Sequence, residues 1–160
     1  MKKTKGTKIW CIITMLIVIT SFCLAPALAS NTEDTKITSL SVTGLGYQVY
    51  SASRDKQDSS AMYLWITSLS SNSYIRVKAL GTNSPSASTT NTTNCTCSQY
   101  GDNYNYVTCY EDVDYSVHSK VYEWGYTYAT YGFENPFINA TSVTAWWSPD
   151  SWNVHVHATP

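Results

Sequence analysis

Three of the five cysteines, Cys95, Cys97 and Cys109, together with three histidines and a run of indole and phenol rings, are the side chains of this sequence with the most chemistry to offer. If Gly101, Asp102 and Asn103 form a three-residue hairpin loop, Tyr100 faces Tyr104, and counting outward sets Cys95 opposite Cys109. A loop shifted by one residue on each side pairs Cys97 with Cys109 instead, because residues two apart share a strand face. A Cys95–Cys109 disulfide is expected, with Cys97 as the alternative partner. The thiol left over offers a disulfide-linked dimer. Zinc does not fit, since C-x-C supplies two of the four ligands a structural site needs and no other Cys or His falls at finger spacing.

His155 and His157 lie two apart, so on a strand both rings point to one side, as a weak metal pair lacking a third ligand. Asp102, Glu111, Asp112 and Asp114 are the densest acidic group, yet the loop from Asp102 lacks the glycine and distal Glu of a calcium loop. Glu123, Asp114, His118 and many serines are available to a hydrolase. No spacing singles out a pair, and neither G-x-S-x-G nor H-E-x-x-H occurs. The sequence is therefore read as non-enzymatic and without a cofactor. Trp146, Trp147, Trp152, Tyr126 and Tyr128 are the candidate binding residues, because rings with an apolar face and a polar edge stack on sugars or settle at interfaces. The competing reading is that these rings are the core.

The elements that position these groups begin with a leader. MKKTKGTK, the apolar stretch Ile9 to Leu24 and Ala27-Leu28-Ala29 before Ser30 match the three parts of a secretory signal, so residues 1–29 are expected to be removed. The alternative is a retained anchor, for which the apolar stretch falls short of the roughly 20 residues that span a bilayer. Export places the remaining chain in a disulfide-permissive, extracellular setting with no stable membrane span. Of the ten basic residues, Lys2, Lys3, Lys5 and Lys8 leave with the signal, so six face eleven acidic residues and the net charge is −5. Nucleic acid is a poor partner for such a surface.

Beyond residue 29, Leu, Ile, Val and Phe make up only about 16% of the chain, a level at which disorder is expected unless other residues build the core. All thirteen Tyr and five of the six Trp lie there, and each ring can bury on the order of 150–250 Å². β-branched and aromatic residues outnumber good helix formers, so strands dominate. Residues 30–35 read as a flexible leader and 36–160 as a single β-rich domain. Strands are expected at 36–43 and 46–53. The clearest hairpin joins AMYLWIT to YIRVKAL, with Met62, Leu64 and Ile66 facing in alongside Ile75, Val77 and Ala79 because Arg76 and Lys78 need water. Residues 82–94 hold no charge and no large apolar side chain, and read as a low-complexity loop. Val117, Val121 and Trp124 fall at helical spacing before Gly125, which predicts one short helix over 115–124. Strands resume from Tyr126 and at 141–147, with an edge strand over 152–158. The fold class is all-β, a small antiparallel β-sandwich with that one helix.

The run Tyr122-Glu123-Trp124-Gly125-Tyr126, followed by Trp147-Ser148-Pro149-Asp150-Ser151, resembles the ending of small exported proteins of Gram-positive bacteria classed as domains of unknown function. That resemblance implies secretion. A fainter likeness in size and composition connects the plan with lactococcin-type bacteriocins, but no motif is shared. The expected function is a secreted interaction protein acting on a cell-envelope protein or glycan, a bacteriocin-like antagonist being one form of it. A carbohydrate-binding module and a small hydrolase are the alternatives.

Overall fold

The computed structural model describes residues 31–151 and the backbone of Val156–His157. The expected signal peptide, Trp152 and His155 lie outside the described residues, as does the side chain of His157. The surplus of β-branched and aromatic residues is realised as strands: β1 (Thr35–Val42), β2 (Gln48–Tyr50), β3 (Arg54–Asp55), β4 (Met62–Leu69), β5 (Tyr74–Thr82), β6 (Thr93–Asn94), β7 (Val107–Tyr110), β8 (Asp114–Val117), β9 (Tyr128–Glu134), β10 (Thr141–Ser148) and β11 (Val156–His157). They form two sheets. The first has the order β1-β10-β4-β8-β11, antiparallel except for the parallel β8–β11 pair. The second runs β2-β9-β5-β6, with β3 also on β9 and β7 also on β5.

Alternation decides which side chains go inward. Met62, Leu64 and Ile66 of β4, Ile75, Val77 and Ala79 of β5, and Val143, Ala145 and Trp147 of β10 are all buried and share one core cluster with Tyr131 and Phe133 of β9. The ring of Tyr131 meets that of Trp147 edge-on at 5.4 Å, so an aromatic contact joins the two sheets. The core is less aromatic than the composition suggests. Trp147, Tyr131, Phe133 and Tyr115 lie in it among Val, Leu, Ile and Met, while Tyr47, Tyr100, Tyr110 and Tyr122 are exposed.

Four expectations are corrected. β4 and β5 are not a hairpin: β4 lies between β10 and β8 in the first sheet, and β5 lies between β9 and β6/β7 in the second. Period two selects a buried face, and two such faces can meet across a core as well as edge to edge. The helix expected over 115–124 does not form. Tyr115–Val117 belong to β8, where pairing with Met62–Leu64 satisfies the backbone. What remains is one turn, residues 121–125, in which Trp124 N–H bonds Lys120 O at 2.9 Å. It closes with Tyr126 N–H on Val121 O and Gly125 N–H on Tyr122 O, Gly125 taking φ +76°, so the expected glycine cap is present without its helix. In the leader, Asn31 donates its backbone N–H to Asp150 and its side-chain amide to Asp55 O, and accepts from Arg54.

The third correction concerns the cysteines, of which Cys95, Cys97 and Cys109 are all free and buried. The chain around Gly101 does turn back, but Cys97 pairs with Asn103 and Tyr104 N–H bonds Thr96 O, whereas the expected register sets Cys97 opposite Val107, four residues further on. β6 and β7 then lie one after the other along the same edge of β5. Cys95 N–H bonds Ala79 O, whereas Cys109 is opposite Ile75. Four residues of strand separate those positions, about 13 Å, and a disulfide requires Cα atoms closer than about 7 Å. The low-complexity segment is corrected at its ends, where Thr82 closes β5 fully buried and Thr93–Asn94 form β6.

Candidate functional site

The outward face of the first sheet carries a row of side chains that the core does not use. In β10, Val143, Ala145 and Trp147 point inward, so Trp146 points outward; in β4 the same rule turns Trp65 outward. The register sets Trp146 directly opposite Trp65, Lys36 of β1 opposite Trp146, and Asp114 of β8 opposite Trp65. Directly opposed Cβ atoms lie about 4.5–5.5 Å apart. Lys36, Trp146, Trp65 and Asp114 thus form a line across four adjacent strands, with a cation at one end and a carboxylate at the other. Trp65 is 36% exposed and Trp146 partly exposed. The Lys36 ammonium sits over the Trp146 ring, 5.6 Å from its centroid, which steadies the indole through its negative π face.

Tyr63 flanks the row, between Ser148 and Ser116. Its hydroxyl is pushed up to about 12, first by burial and then by the carboxylates of Asp114 and Asp34. It therefore stays protonated and able to donate under any physiological condition. Two indoles, a phenol donor, an ammonium and a carboxylate on one sheet face can stack on a ring-shaped, hydroxyl-rich ligand and hydrogen-bond its edges.

The structure disperses the four nominated rings that it describes. Trp146 belongs to this row, while Trp147 is fully buried against Tyr131 and cannot contact a ligand, a correction that follows from the parity of β10. Tyr126 and Tyr128 sit on the second sheet. The Tyr126 ring lies on Gly81, where a Cβ would fall 2.4 Å from Cδ2, and its hydroxyl donates to Thr93 at 2.7 Å. Tyr128 is opposite Thr82 and Asp55. Trp65, Lys36 and Tyr63 are the residues that sequence reasoning passed over as a site, although the alternation Tyr63-Trp65-Thr67 marked their face.

A cleft of about 440 Å³ brings Cys97, His118, Lys120, Glu123 and Trp124 together, including two of the residues available to a hydrolase. Burial pushes the Cys97 thiol up, Lys120 offsets this in part and Glu123 adds to it, so the sulfur is held as thiol rather than as the reactive thiolate. Lys120 bonds Asn103 at 2.9 Å and lies 5.8 Å from the Trp124 ring centroid. Among the described residues no group of three or more His, Cys, Asp or Glu is placed to hold a metal ion, and no helix is long and apolar enough to cross a membrane.

A family model described as a protein of unknown function (DUF2712) matches residues 25–151. No curated protein and no solved structure matches the chain.

Proposed function

We propose a function for this chain, which belongs to the DUF2712 family of proteins of unknown function, from the outward face of its first sheet. The protein is an exported, non-enzymatic binding protein whose two sheets pack as a single β-sandwich domain and which engages a glycan of the cell envelope. The leader read at residues 1–29 supports export. The observation that carries the binding role is the Lys36–Trp146–Trp65–Asp114 row: two indoles side by side on an outward sheet face, bracketed by hydrogen-bonding charges. A ring-lined sheet face with polar ends matches the alternating apolar faces and hydroxyl edges of a sugar chain. The acidic balance of the exported part argues against attraction to bare anionic lipid. The protonated, buried Cys97 supports reading the neighbouring cleft as something other than a thiol hydrolase site.

The test is retention of the purified protein on isolated cell walls, with tryptophan fluorescence titrated against soluble wall glycans. Trp65→Ala and Trp146→Ala should each weaken retention about 10- to 30-fold, as removal of an aromatic hot spot costs about 2 kcal/mol. Retention unchanged in both variants defeats the proposal. Retention lost after protease treatment of the walls, with no response to glycans, reassigns the surface to a protein receptor.

A further inference from the structure

We propose that Lys56 and Asp150 condense within the folded chain to form an intramolecular isopeptide bond. Both side chains are completely buried, and Lys56 Nζ stands 2.6 Å from Asp150 Oδ1. Taking an ammonium and a carboxylate out of water is costly even when they are paired, so a neutral product has a free-energy advantage at this place that it lacks in solution. A proton crossing the short Nζ–Oδ1 hydrogen bond leaves an amine facing a carboxylic acid. At an ordinary hydrogen-bond angle the carboxyl carbon is then about 3.5 Å from the nitrogen, within the range of a near-attack arrangement.

The two oxygens of Asp150 have different surroundings, and the difference matches the needs of acyl transfer. Oδ2 accepts the backbone N–H of Asn31 at 2.9 Å and that of Gln57 at 3.3 Å. Two main-chain donors on one carbonyl oxygen form an oxyanion hole for the tetrahedral intermediate. Oδ1 faces the amine, and the same Lys56 Nζ has the Asp58 carboxylate on it as well, with Asp58 Oδ1 at 3.7 Å. Asp58 is partly exposed, held by the Ser60 N–H at 2.8 Å, and can carry a proton between the two reacting groups.

The step balances without any added reagent. Nζ attacks Cγ and the new N–C bond forms while charge collects on Oδ2. Asp58 takes one proton from the nitrogen and gives it to the Oδ1 hydroxyl, the Cγ–Oδ1 bond breaks and one water leaves. Nothing is oxidised or reduced. The amide keeps the hydrogen bonds already in place: its N–H remains beside Ser60 O, now 2.7 Å from Nζ, and its carbonyl oxygen keeps the Asn31 and Gln57 donors. Two buried charges disappear and no polar atom is orphaned. The bond closes a covalent loop across residues 94 apart, fastening the segment before β4 to the end of β10.

The experiment is intact-mass and peptide-mapping spectrometry on the purified full chain. The folded protein should be lighter than its sequence, after allowing for any N-terminal processing, by one water. Trypsin should fail to cut after Lys56 even in denaturant, and a branched peptide should join the Lys56 and Asp150 segments. Lys56→Arg keeps the buried cation but should restore the full mass. Asp58→Ala, a change at a partly exposed position, should leave the chain folded and slow bond formation at least tenfold after refolding of freshly made protein. A wild-type chain of full mass, cut normally after Lys56, overturns the proposal. So does a water loss that persists in Lys56→Arg, which would mark dehydration or cyclisation at one residue. Bond formation at an unchanged rate in Asp58→Ala overturns the proton-transfer role given to Asp58.

Discussion

Trp146 and Trp147 are adjacent in the chain and do opposite work. Trp147 is among the largest fully buried side chains, packed edge-on against Tyr131 with Arg54 5.7 Å from its ring, while Trp146 looks outward under Lys36. Trp147→Ala should cost about 3–5 kcal/mol of stability, since it removes a large ring from a core that relaxes only partly around the void. Trp146→Ala should change stability by less than about 1 kcal/mol. Urea denaturation of both variants checks this, and equal losses would contradict the assignment of faces. This division was legible in the sequence, because Val143 and Ala145 fix the odd positions of β10 as the inward set. Trp65 was equally legible, because Met62, Leu64 and Ile66 fix the even positions of β4 as the inward set. Lys56 and Asp150 were not legible. Each sits in a loop among polar residues, where nothing in the local pattern tells a buried charge from a solvated one, and their partnership spans 94 residues.

At the scale of elements, the period-two pattern identified most strands and their inward faces but not which strands pair. AMYLWIT and YIRVKAL read as two arms of a hairpin because a short polar loop joins them. The edges of β4 are taken instead by β10 and β8, partners distant in sequence, and the tie between Ser70 and Ser142 fastens the end of β4 to β10. Helical spacing of Val117, Val121 and Trp124 was real, but Tyr115–Val117 gain a full set of strand partners in β8, so tertiary pairing overrides the local preference. Only the closing turn survives, and it depends on Gly125 at φ +76°. Gly125→Ala should destabilise the protein by about 1–2 kcal/mol, because a Cβ in the left-handed region meets its own carbonyl. Thermal unfolding would register this as a lowered midpoint, whereas an unchanged midpoint would mean that the turn opens at no cost. The structure leaves open space around the glycine, so strain rather than collision is the cause.

Among the described residues the sheets are held together without a bridge between cysteines, and the thiols make this testable. Cys109 is sealed beneath the core, and burial pushes its thiol far up; Cys95 is pushed up to about 11, mainly by burial, with a backbone hydrogen bond opposing. With Cys95 and Cys109 set four residues apart along β5, a reductant has nothing to cut. The melting temperature should be the same with and without dithiothreitol, and alkylation of the denatured, unreduced protein should modify Cys95, Cys97 and Cys109 alike, with a monomer on a non-reducing gel. A mass lower by two hydrogens, or a reductant-sensitive dimer, would contradict the register of β6 and β7. The same burial gives stability a defined alkaline limit. A thiol that ionises near 9 when unfolded and near 11 in the fold leaves the folded state holding more protons between those values. The stability this thiol contributes is therefore fully present below about pH 9 and is lost as pH rises toward 11. Urea titrations should give a lower stability at pH 11 than at pH 8, and Cys95→Ala should make that slope shallower. A slope that survives this substitution unchanged would place the alkaline weakness in the Cys109 thiol and in the phenols of Tyr131 and Tyr63, all of which burial also pushes up.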